Sequence, residues 1–185
     1  MGDFLERNLS LLKRRQPKLA AYLRSFSECS VEERAHPVGR ENLRIERKTP
    51  PAENASGVRK KTGLPVAVLH GVGSSASFSA LLRELPQNVR FIVALETKID
   101  MIHALFCELP LFETKPQRNL VFVVSEELPL IDEAVRSAFA SKGFLVGKHS
   151  FSVFSADGNN SDEEAVKSLA TAFEQRLDYY IDIMG

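Results

Sequence analysis

Apolar residues along this chain follow two kinds of pattern. Near the beginning, Phe4, Leu5, Leu9 and Leu12 recur at helical spacing among charged residues, and Leu19, Tyr22, Leu23 and Phe26 repeat the arrangement after Pro17. Each set marks one face of an α-helix, and Pro17 suits the first helical position, where its missing N–H would have had no partner anyway. Further along, the runs 66–69, 91–95 and 119–124 are apolar almost throughout. A run without polar alternation predicts a strand covered on both faces, as in a parallel sheet. Between these runs the helical period returns, first in Phe78, Leu81, Leu82 and Leu85, then in Ile99, Ile102, Phe106 and Leu109, then in Leu130, Ile131, Ala134, Val135, Ala138 and Phe139. Strand and helix thus alternate three times. A looser alternation over 144–154 predicts one or two closing strands, and Val166, Leu169, Ala170, Phe173, Leu177 and Ile181 mark a long last helix opened by a Ser161/Glu164 capping box.

This order predicts an α/β fold, a Rossmann-like and mainly parallel sheet with helices on both faces, preceded by an N-terminal helical arm. The arm covers 1–27, and the sheet domain covers 63–185. Between them 28–62 lose periodicity and gather Pro37, Gly39, Pro50, Pro51 and Gly57, an irregular connector with one short strand over 43–46. Local signals set the expected helix ends. Lys13, Arg14 and Arg15 fall in the last turn of the first helix, Thr97 to Asp100 cap the helix after the second strand, and Ser125-Glu126-Glu127 open the helix after the third.

Candidate chemistry concentrates where the first strand ends. His70 is followed by Gly71-Val72-Gly73-Ser74, a glycine turn leading into a helix, and the second strand closes on Glu96. In dinucleotide-binding folds such a turn lets a phosphate approach the backbone, and an acid at the end of the second strand accepts from ribose hydroxyls. The third glycine of the full fingerprint is absent, with Ala76 nearest to its place. A plainer reading gives the same residues a tight strand-to-helix turn and a solvated acid with no ligand. His70, Gly71, Gly73, Ser74 and Glu96 are the candidate ligand-binding set, with no cofactor specified. His103 falls inside a helical pattern and reads as packed rather than catalytic.

Other chemistry finds no support. There is no phosphate-binding loop with its lysine, no zinc-ligand spacing, no nucleophile elbow and no carboxylate pair whose spacing requires the two to meet. Asp157-Gly158-Asn159-Asn160 is rich in oxygen but lacks the sixth-position glycine and twelfth-position acid of a calcium loop. The chain has 185 residues with 24 basic and 24 acidic side chains, so no global field recruits nucleic acid or an anionic membrane. Cys29 and Cys107, the two cysteines, read as reduced thiols. The absence of a long apolar stretch and the early charges at Asp3, Glu6 and Arg7 predict a soluble, cytoplasmic protein. The apolar stripes of the arm dock on the core or offer a surface for a partner or a second copy. Tyr179-Tyr180 and the apolar end from Ile181 suggest a chain that continues or docks.

Taken with their order, the stretch from Asn8 to Leu19 (Asn-Leu-Ser-Leu-Leu-Lys-Arg-Arg-Gln-Pro-Lys-Leu), the glycine turn after Val66 to Leu69, and Phe91 to Glu96 resemble the amino-terminal part of the motility accessory factor (Maf) family of flagellin glycosyltransferases. Gly71, Gly73 and Glu96 match that family's turn and second strand, while Thr97 stands where the family often has proline. The resemblance implies a non-catalytic, Rossmann-like amino-terminal domain that binds a partner or a nucleotide-like ligand. It also implies flagellin as partner, a catalytic domain further along the parent protein, and transfer of a nonulosonic acid from its CMP form. The alternative is an S-adenosylmethionine-dependent methyltransferase-like domain, which also places a glycine turn after its first strand and an acid after its second.

Overall fold

The computed structural model describes residues 3–29, 66–85, 89, 91–112, 119–139, 151–155 and 163–184. The expected connector strand over 43–46, the Asp157 to Asn160 turn and Ser161 of the capping box lie outside them. Two helices come first, α1 (Asp3–Leu12) and α2 (Pro17–Cys29). Then follow β1 (Val66–His70), α3 (Ser75–Glu84), β2 (Phe91–Leu95), α4 (Ile99–Glu108), β3 (Asn119–Val123), α5 (Leu128–Phe139), β4 (Phe151–Ser155) and α6 (Glu163–Met184). All strand pairings are parallel, and the order is β3-β2-β1-β4. That is the order of the first four strands of a doubly wound Rossmann-type sheet.

Side-chain alternation sorts the strands into two layers. Leu69, Ile92, Ala94, Leu120 and Phe122 face a core shared with Phe78 of α3 and with Ile102, Leu105 and Phe106 of α4. The intervening residues Val68, Val93, Leu95, Val121 and Val123 face α5 and α6, where Ile131, Val135, Leu169 and Phe173 meet them. Both faces are therefore covered, which is why the strands read as unbroken apolar runs.

The arm belongs to the first layer. Leu9, Leu12, Leu19 and Leu23 are no more than 2% exposed and join the same core. Each buried leucine contributes roughly 1.5–3 kcal/mol, so the stripe serves internal packing. Phe4 and Tyr22 are the large apolar residues of the arm that remain exposed.

Three buried polar side chains fix the docking. Asn8 Nδ2 donates to the carbonyls of Phe106 (2.9 Å) and Leu109 (2.7 Å), satisfying the end of α4. Gln16 bridges to the backbone of Phe122 in β3. Glu133 of α5 accepts from the N–H groups of Lys18 (2.7 Å) and Leu19 (3.0 Å), placing a carboxylate at the N-terminus of α2.

Several helix ends differ from the sequence expectation. α1 stops at Leu12, and Lys13 to Arg15 form the terminating turn, in which Arg14 N–H reaches Leu11 O and Arg15 N–H reaches Leu12 O. α5 begins at Leu128 rather than at Ser125, because the Ser125 hydroxyl accepts from Glu127 N–H and closes a short turn first. α4 has Lys98 at its N-cap with no side-chain cap. No helix among the described residues is long and apolar enough to cross a membrane.

Candidate functional site

β1 and β2 deliver the candidate residues to one edge of the sheet. His70 ends β1 in register with Leu95 of β2 on one side and Ser155 of β4 on the other. Beyond it the chain turns through Gly71 (φ +77°) and Gly73 (φ +58°), both left-handed. A side chain at either position would be strained, which is the reason for glycine here. The residue between them does the opposite of approaching solvent, since Val72 is fully buried in the first core layer. Two left-handed residues let the backbone dip far enough for that side chain to anchor the turn.

Backbone and side-chain contacts then fix the turn further. Gly71 N–H donates to Leu95 O at 2.9 Å, which continues the β1–β2 pairing past the strand end. Val72 N–H donates to Glu96 Oε2 at 3.1 Å, and the other carboxylate oxygen, Oε1, accepts from Lys98 N–H at 3.0 Å. Glu96 is 6% exposed, and its own N–H donates to Val123 O at 3.0 Å. One side chain at the end of β2 therefore holds the glycine turn on one side and the start of α4 on the other.

Ser74 is the N-cap of α3. Its hydroxyl accepts from Ser77 N–H (3.2 Å) and lies 2.9 Å from the Ser77 hydroxyl. The cap keeps α3 starting directly above the turn, so that its positive end faces the carboxyl edge of the sheet.

The structure thus brings Gly71, Gly73, Ser74 and Glu96 together. His70 shares the edge, but strand alternation puts it on the same face as Val68, toward α5 and α6, whereas α3 leaves the turn on the opposite face. The sequence reading missed the backbone N–H groups of Val72 and Lys98 as partners of Glu96. An acid two residues before the N-cap of α4 is the signal that could have found the second of these. His103, in α4, is buried against the Phe26 ring (centroids 5.6 Å apart), with its Nδ1 3.6 Å from Cys107 Sγ. It is a packed histidine. No protein-family model, curated protein or solved structure matches this chain.

Proposed function

We propose that this chain is a non-catalytic ligand-binding domain that takes a nucleotide-like molecule over the glycine turn, and that it serves as the amino-terminal domain of a cytoplasmic, motility-associated flagellin glycosyltransferase. The observation that carries the ligand reading is the turn itself. Gly71 and Gly73 are both left-handed, Val72 is sunk in the core, and α3 starts immediately beyond. Backbone without side chains is thereby presented at the positive end of a helix, on the edge where open α/β sheets bind ligands. The glycosyltransferase reading is supported by the family resemblance. Three of the residues quoted for it have defined work in this fold: Asn8 ends α4, Gln16 engages β3, and Pro17 begins α2.

A thermal-shift panel with CMP, NAD and S-adenosylhomocysteine tests the ligand. Stabilisation by CMP or NAD is expected, and Gly73→Arg should abolish it by filling the space above the turn. Stabilisation by S-adenosylhomocysteine alone would favour the methyltransferase alternative instead. No shift with any of the three would remove the ligand reading. The parent protein is tested by the intact mass of the endogenous species, expected to be several times that of this chain. A species near 20.6 kDa would overturn the multidomain transferase.

A further inference from the structure

α5 lies between α2 and α6. It holds α2 through Glu133, which accepts from the N–H groups of Lys18 and Leu19, and it holds α6 through Asp132 and Arg136, which meet Arg176 and Tyr180. Charge on this three-helix surface is sorted by sign. Lys13, Arg14, Arg15 and Lys18 are all exposed on the α2 flank, while Asp178 and Asp182 are exposed one turn apart on α6. Among the described residues none of these six takes part in an ion pair.

Large apolar side chains stand in the open between the two flanks. Leu128, four positions before Asp132 on α5, is 63% exposed, and Tyr179 and Ile183 of α6 are 50% and 62% exposed. The helical period places Tyr179 and Ile183 between the α5-facing Arg176 and Tyr180 and the outlying Asp178 and Asp182. Tyr179 is also held in place. The Arg176 guanidinium, gripped by Asp132, lies 4.6 Å from its ring centre, and the Tyr180 ring meets it edge-on at 6.0 Å. An aromatic ordered in advance loses little freedom on association, and tyrosine beside arginine is the chemistry in which interface energy concentrates.

We propose that this surface is a two-fold dimer interface, in which the basic α1–α2 turn of each copy meets the acidic flank of α6 in the other and Tyr179 and Ile183 are enclosed between them. The sorting of charge selects the occupant. A partner of one sign would be attracted by one flank and repelled by the other. A second copy, related by a two-fold axis running along α5, presents the same surface reversed, so both attractive contacts form at once. With 24 basic and 24 acidic side chains in the chain, two copies approach without net repulsion. Arg14 and Arg15 suit the role, since a guanidinium both forks onto a carboxylate and stacks on a tyrosine ring.

Sedimentation velocity of the whole wild-type chain is the first test and needs no variant to fold. A concentration-dependent species of twice 20.6 kDa is expected, its dissociation constant rising about tenfold or more from low to high salt. A wild-type monomer at every concentration would leave the face to a different protein and overturn the proposal. So would a dimer indifferent to salt. Charge reversal then locates the contact. Lys13→Glu with Arg14→Glu and Arg15→Glu should give a monomer, and so should Asp178→Lys with Asp182→Lys. An equimolar mixture of the two should restore the dimer, which misfolded chains could not do. A dimer in either reversed variant alone would overturn the assignment, and species growing beyond two copies would overturn the two-fold arrangement.

Discussion

The Gln16 side chain pairs with the backbone of Phe122 as a neighbouring strand would. Its Nε2 donates to Phe122 O at 2.7 Å, and its Oε1 accepts from Phe122 N–H at 3.0 Å. β3 is an edge strand of the sheet, and such an edge exposes unpaired N–H and C=O groups to other chains. A primary amide sets an N–H donor and its carbonyl acceptor side by side, so a single buried glutamine substitutes for the missing strand at this position.

Gln16→Ala should accordingly leave a buried donor and a buried acceptor on Phe122. A loss of about 2–4 kcal/mol in urea-unfolding free energy is expected from two such bonds. Gln16→Glu keeps the acceptor but sets a buried carboxylate oxygen against Phe122 O, and should cost at least as much. If both variants unfold at the wild-type midpoint, the pairing contributes nothing.

Gly71→Ala isolates backbone conformation from crowding. The nearest heavy atom to the new Cβ is Glu96 Oε2 at 4.0 Å, an ordinary contact, while φ is +77°. The cost should therefore be conformational, about 1–2 kcal/mol in the same unfolding measurement. A larger loss would mean that the turn is packed more tightly than this space allows.

A pH dependence comes from the outer face of α5 and α6. Arg176 grips Asp132 through both its Nε and its Nη2, the latter at 3.1 Å from Oδ2. This hydrogen bonding, opposed by partial burial, holds the Asp132 carboxyl below its ordinary value of 3.8. A carboxyl lowered on folding contributes stability that is present above that value and lost as pH falls through the lower, folded one. Thermal melts from neutral pH down to the acid range should show this decline in the wild type. Asp132→Asn should remove that part of the slope, and an identical slope in the variant would rule the pair out as its source.

Much of this architecture is legible in the chain. β2 and β3 fall within the apolar runs, and β1 extends its run by one residue to His70, because both faces of the sheet are covered; the helical spacing of Leu9, Leu12, Leu19 and Leu23 marks the buried faces of the arm. What periodicity does not reveal is how polar residues are spent across long separations. Asn8, Gln16 and Glu133 look like ordinary surface residues in the sequence, and their partners lie 98 to 115 positions away. Glu96 is a similar case. Its place at the end of the second strand follows from the pattern, but its backbone partners depend on how two loops meet in space. His70 adds the reverse lesson, since adjacency to Gly71 in sequence still leaves it on the other face of the sheet.

The separation between the arm and its partners has a consequence for synthesis. Leu9, Leu12, Leu19 and Leu23 leave the ribosome about a hundred residues before α4, β3 and α5, against which the arm closes. Until then the nascent arm carries an apolar stripe with no native place to go, the kind of surface that chaperones hold. Docking of α1 and α2 is thus a late step that closes a long loop, after which Gln16 covers its place on the β3 edge of the sheet.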